Sequence, residues 1–159
     1  MPGQDKGKHT IIAHLICNDA QAALDFYKNA FGADIQGVHK TPDGKVMHAE
    51  LNIGGARLML ADEFPGSGCV SAKTMGGSPV VLNLYVEKDV DSLFNQAAKA
   101  GATVVMPLAN QFWGDRYGQI TDPFGFRWAL GQHVEDVAPA EMERRAKEAF
   151  SKMAEMAHK

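Results

Sequence analysis

Cysteine is scarce in this chain, two in 159 residues, and no apolar run approaches the eighteen or so residues that carry a helix across a bilayer. Cys17 lies in an apolar run and Cys69 in a glycine-rich stretch, a spacing that fits no zinc or redox motif. Both read as free thiols of a reducing compartment. The opening MPGQDKGKH has no apolar core of the secretory kind, so a cytoplasmic protein without a membrane partner is expected. Charge of one sign is also lacking: the formal net charge is −3, and the lysines and arginines are scattered among acids. That removes the usual reason to expect nucleic acid and leaves a small molecule as the expected partner. The 45% apolar and 22% charged composition is that of one globular domain with a full core.

What the chain does have is an internal repeat. Residues 10–17 (TIIAHLIC) read as a strand, and Asn18-Asp19 caps a helix whose Ala20, Ala23, Leu24, Tyr27 and Phe31 recur at helical spacing before Gly32 ends it. Residues 34–40, 45–53 and 56–61 follow as strands, joined by the Pro42-Asp43-Gly44 turn and the Gly54-Gly55 hairpin. The second half repeats the plan. Residues 79–86 are a strand, Val90, Leu93, Phe94 and Ala97 mark a helix ending at Gly101, residues 103–107 are a strand, and NQFWGDRYGQITDPFGFRWALGQ (110–132) supplies a last hairpin. A shift of 69 lays Phe31-Gly32-Ala33 on Ala100-Gly101-Ala102, and a shift of 70 lays GARLML on GFRWAL. The prediction is an α+β fold with a flexible N-terminus (1–9), a βαβββ module (10–62), a long loop (63–78), a second βαβββ module (79–133) and an amphipathic helix (139–158).

Tandem βαβββ modules, ALDFYKNAFGA after the first strand and DPFG before the last one resemble the vicinal oxygen chelate superfamily of glyoxalase I, bleomycin-resistance proteins and extradiol dioxygenases. DGKVMHAEL, RLMLADEFP and FWGDRYGQITDPFG resemble its PhnB-like branch. The resemblance implies two sheets forming a cupped, partly open mixed β-sheet barrel, usually in a homodimer that completes two cavities. It also implies a divalent metal in the enzymes, held from the first and last strand of each module. Those positions are here Ile12, Met59, Val81 and Ala129, none of which binds a hard cation. No cofactor is therefore expected, the alternative being one divalent ion (Zn, Ni, Mn or Fe) at a relocated site.

Side chains alternate across a strand, so if Ile12 faces the cup then His14 and Ile16 do too. In the third strand the apolar set Met47, Ala49, Leu51 and Ile53 is expected on the helix, leaving Val46, His48, Glu50 and Asn52 inward. The hairpin then sets Glu50 opposite Met59 and Asn52 opposite Arg57. In the second module Val81, Asn83, Tyr85, Tyr117, Gln119, Arg127 and Ala129 face inward, and Leu82, Leu84, Ile120, Trp128 and Leu130 the core.

Two functions are open at this point. In the first, a metal-free binding protein encloses a partly aromatic or anionic ligand among His14, His48, Arg57, Asn83, Tyr85, Tyr117, Gln119 and Arg127, with Trp113 and Arg116 stacking or gripping at the rim. The second is a lyase, isomerase or dioxygenase in which Glu50 is a general base, or His14, His48 and Glu50 form a displaced metal site. Against these stands a bland alternative in which Glu50 pairs with Arg57, Arg116 pairs with Asp115, and Trp113 packs under its loop. In the 63–78 loop the glycines allow movement and Phe64, Val70 and Met75 offer apolar contacts, as in a lid or interface arm. The last helix carries an apolar stripe of Met142, Ala146, Ala149, Phe150, Met153 and Met156, expected to pack on its own domain or a dimer partner.

Overall fold

The computed structural model describes residues 10–157; the expected flexible segment 1–9 lies outside them, as does residue 158. The first module contains β1 (Ala13–Cys17), α1 (Ala20–Phe31), β2 (Asp34–Lys40), β3 (Val46–Ile53) and β4 (Ala56–Asp62). The second contains β5 (Val81–Tyr85), α2 (Val90–Ala100), β6 (Thr103–Asn110), β7 (Asp115–Thr121) and β8 (Arg127–His133), and α3 (Pro139–Ala157) follows. Each module forms a four-stranded mixed sheet, β1-β4-β3-β2 and β5-β8-β7-β6, in which the first strand runs parallel to the last and the other pairs are antiparallel. The tandem βαβββ plan is thus the fold. None of the described helices is long and apolar enough to cross a membrane.

The repeat extends to the way each helix is started. Asp19 Oδ1 accepts the Ala22 N–H at 2.9 Å, and Asp62, at the end of β4, accepts the Ala20 N–H at 2.7 Å. In the second module Gln132 of β8 accepts the Val90 N–H at 3.1 Å, while Asp89 makes no capping bond with its side chain. Each helix therefore has a first-turn donor satisfied from the last strand of its own module, which fixes the helix against the sheet.

α1 and α2 pack on each other and join the helix-covered faces of both sheets into one core. Trp128 is 3% exposed, as expected of a core residue, with its ring centroid 4.7 Å from that of Phe31 and 5.4 Å from that of Tyr27. Asp122, the aspartate of DPFG, is buried here. Its carboxylate accepts from Tyr27 Oη at 2.6 Å, Trp128 Nε1 at 2.9 Å, Phe124 N at 2.9 Å and Phe126 N at 3.0 Å. One side chain thus fastens the α1 of the first module to the terminal hairpin of the second. Burial pushes its pKa up, and the donors pull against that shift.

The sheets are open, as expected: α1 packs on α2 between them, and among the described residues no strand of one sheet contacts a strand of the other. Two expectations need correction. Met47 is 57% exposed and Val46 is fully buried, the reverse of the expected parity. A register shift between His39 and Lys40, opposite this end of β3, inverts the alternation there, and from His48 onward it runs as expected. In the 63–78 loop Val70 and Met75 are exposed, whereas Ser71 and Ala72 are buried. Glu63 holds this segment by accepting from Ser71 N and Thr74 Oγ1, both at 2.8 Å, and the Ala72 N–H donates to Ile16 O at 3.3 Å.

The strand ends also differ: β1 starts at Ala13 rather than Thr10, and β6 runs on to Asn110. α3 has no buried residue. It is tied to the domain by Arg145, which pairs with Glu135 at 2.7 Å, and by an edge-on contact of Phe150 with Phe112, while Met153 and Met156 are exposed.

Candidate functional site

The face of each sheet turned away from the helices carries the candidate residues. In the first module β1, β4 and β3 align His14 with Met59 and Met59 with Glu50, and Asn52 stands opposite Arg57, the register expected from the hairpin. A groove of about 590 Å³ runs along β2, β3 and β4, lined by Gln36, His39, His48, Glu50, Asn52 and Arg57. His48 Nε2 lies 3.5 Å from Glu50 Oε1, and Arg57 Nη1 lies 3.8 Å from Glu50 Oε2. His14 meets His48 edge to face at 5.9 Å, and burial, then the nearby His48, pulls its pKa down. His14, next to His48, holds an imidazole that can both donate and accept a hydrogen bond. These half-buried pairs are long and add little to stability.

His39, which stands opposite His48, was missed by the sequence reading. The signal was available in the β2–β3 hairpin, but the irregular register between His39 and Lys40 breaks the count from the turn.

A metal of the family kind does not fit these residues. Ile12, Val81 and Ala129 offer no donor atom, and the Met59 thioether is a soft one. His14, His48 and Glu50 share a face but do not converge: among the described residues no three His, Cys, Asp or Glu side chains are grouped to hold a metal ion.

On the second sheet Asn83 aligns with Ala129 and Gln119, and Tyr85 with Gly131 and Tyr117. Tyr85 lies over Gly131, where an added Cβ would be 2.9 Å from the ring. Asp115 gathers the polar groups at this end. It accepts from Tyr85 Oη at 2.8 Å and Trp113 Nε1 at 3.0 Å, and its other oxygen lies 3.0 Å from His133 Nδ1, whose Nε2 is 2.8 Å from Asp136. Burial, then the bond to Asp115, pushes the Tyr85 hydroxyl up to about 12. Burial raises the Asp115 carboxyl, but the bonds from His133, Tyr85 and Trp113 outweigh it and leave the group below its ordinary range. Trp113 is half-buried, edge-on to Phe112 and Tyr117.

Arg116 is not at this rim. It points to the helix side, where Nε and Nη2 grip Asp91 of α2 at 2.7 and 2.5 Å, so its pairing partner is Asp91 rather than Asp115. Within one chain the candidates therefore form two groups. His14, His48, Glu50 and Arg57 lie on the first sheet, and Asn83, Tyr85, Trp113, Tyr117, Gln119 and Arg127 on the second.

His133 supplies a pH test. The hydrogen bond to Asp136, then that to Asp115, raises its pKa above the ordinary value near 6.5. A raised histidine pKa contributes stability that is complete below about pH 6.5 and is lost as the pH climbs through the folded value. NMR titration of the His133 ring should therefore give a midpoint above 6.5, and His133→Gln should flatten the dependence of the melting temperature across that window. A midpoint at or below 6.5 contradicts the pairing.

This chain belongs to the Glyoxalase/Bleomycin resistance protein/Dioxygenase superfamily, whose profile matches residues 8–130. An uncharacterized protein of Mycobacterium tuberculosis is 48% identical over 127 residues, covering 78% of this chain and 74% of its own. The X-ray structure of an Arabidopsis thaliana gene product, 30% identical, matches with a TM-score of 0.65 over 79% of this chain and 99% of that one. A PhnB protein from Bacillus cereus shares the fold at 21% identity, with a TM-score of 0.64 over 78% of this chain and 99% of that one.

Proposed function

We propose that this chain is a cytoplasmic small-molecule-binding protein without a resident metal, which takes a partly aromatic or anionic ligand on the helix-free faces of its sheets. The observation that carries the reading is the composition of the first face. A groove of about 590 Å³ presents Glu50 between His48 and Arg57, while the positions of the family's metal ligands are three hydrocarbons and a thioether. Such a surface recognises a ligand by hydrogen bonds and charge.

The functional unit is a homodimer in which the first face of one chain closes on the second face of its partner. Supporting this, both faces lie open in the single chain, and the second exposes apolar surface at Val81 and Tyr85, the latter 51% accessible. The free thiols, with Cys17 buried, are in keeping with a reducing compartment.

The test is a fluorescence titration with 4-hydroxybenzoate, an aromatic carboxylate, on protein whose oligomeric state has been measured by light scattering. Saturable quenching in a dimer is expected, lost with Trp113→Phe as reporter control and weakened about tenfold by Arg57→Gln, the magnitude of a charge-assisted hydrogen bond. If the purified protein instead holds near one metal per chain, released by His48→Ala or Glu50→Ala, the reading fails in favour of a metal-dependent enzyme.

A further inference from the structure

The two sheets are repeats, but their arginines are not in equivalent circumstances. Arg57 and Arg127 occupy the same place in β4 and β8, 70 residues apart. In the first sheet Glu50, opposite Met59, lies 3.8 Å from Arg57. In the second sheet the residue opposite Ala129, the mate of Met59, is Gln119, which donates to Tyr117 Oη at 3.0 Å. A neutral side chain stands where the compensating acid would be. Among the described residues no carboxylate lies within ion-pair distance of Arg127 or of Lys73.

Both cations line one groove of about 720 Å³ between residues 73–78 of the connecting loop and the ends of β6, β7 and β8. Hydroxyls of Ser78, Thr103 and Thr121 share the wall, with Thr121 directly opposite both Thr103 and Arg127. Ser78 Oγ accepts the Val80 N–H at 3.2 Å, which leaves its own O–H to donate. The acid in the lining is Asp122, 3% exposed, whose oxygens are taken up by Tyr27, Trp128 and the Phe124 and Phe126 amides and which pairs with neither cation. Met75, 70% exposed, and Pro123 add apolar surface. The loop wall is fixed by close packing: a Cβ on Gly125, at φ 91°, would stand 3.2 Å from the backbone of Ala72 and Lys73.

We infer that this groove is a second ligand site, one that takes an organic oxyanion, either a phosphate monoester or a carboxylate, with its charged head on Arg127 and Lys73 and its body along Met75 and Pro123. Two cations and three hydroxyls with no competing free acid match the acceptor oxygens of such a group. The lining comes from one chain and includes no residue of the first groove.

The experiment is an amide NMR titration with phenyl phosphate and, separately, benzoate. Saturable shifts at residues 73–78 and 121–127 are expected, with the affinity read from those residues reduced about tenfold by Arg127→Gln and by Lys73→Gln, whatever shifts the first groove shows. Lys152→Gln, on exposed α3, removes the same charge and should leave the affinity unchanged. Tighter binding of phenyl phosphate identifies the monoester as the preferred class, and tighter benzoate the carboxylate. Shifts at residues 36–57 alone, or affinity indifferent to Arg127→Gln, overturn the site, and the first of these results does so while leaving the first-groove reading intact.

Discussion

Replacing Asp122 with alanine is expected to destabilise the fold by about 4 kcal/mol and to lower the melting temperature by about 10 °C. The substitution strands the Tyr27 hydroxyl, the Trp128 indole N–H and the Phe124 and Phe126 amides, all of which donate to this carboxylate. An unsatisfied buried donor costs roughly 1–3 kcal/mol, and the two side-chain donors sit in the core, where Tyr27 is fully buried and Trp128 nearly so. Tyr27→Phe alone should cost less, about 1–2 kcal/mol, because Asp122 retains three donors. Adding Tyr27→Phe to Asp122→Ala should cost almost nothing further, since both ends of that bond are then gone. Urea unfolding of the four proteins measures this cycle. An Asp122→Ala loss below about 1 kcal/mol would mean that water replaces the carboxylate and that DPFG is only a turn.

Gly118→Ala is expected to destabilise by about 2–3 kcal/mol, far more than a glycine needed only for freedom in a loop. Gly118 lies buried in the middle of β7, not in a loop. An added Cβ would meet Phe94 Cε2 at 2.8 Å and the Leu108 Cα at 2.9 Å. The ring can shift but the backbone of β6 cannot, so Phe94→Leu should recover only part of the loss. Were the glycine present for flexibility, alanine would leave stability unchanged or raise it slightly by stiffening the unfolded chain. Thermal melts of Gly118→Ala with and without Phe94→Leu separate the two explanations, full rescue by leucine being the result that contradicts the backbone clash.

The same comparison shows where the sequence stopped being informative. Alternation placed His48, Glu50 and Asn52 on one face because each successive residue of a regular strand turns over. It failed at Val46 and Met47, where the partner strand slips register. Arg116 was misplaced because β7 begins at Asp115, which puts Arg116 on the face opposite Tyr117. The Asp115 and His133 pair is countable in principle: Thr121 stands opposite Arg127, and moving away from the turn, back along β7 and forward along β8, brings Asp115 opposite His133. The pair sits at the open end of the hairpin, where β7 begins and β8 ends.

Short-range patterns alone determined the two βαβββ modules, the buried Trp128 and the register of Glu50 and Asn52. These follow from strand alternation, helical spacing and turn chemistry. Tertiary structure decided that the two candidate faces look away from each other, that Asp122 spans the modules, and that Arg127 has no counterpart to Glu50 beside it. The physical reason is that each depends on α1 packing against α2 and on partners many tens of residues apart. No local periodicity records which surface a helix pair will leave uncovered.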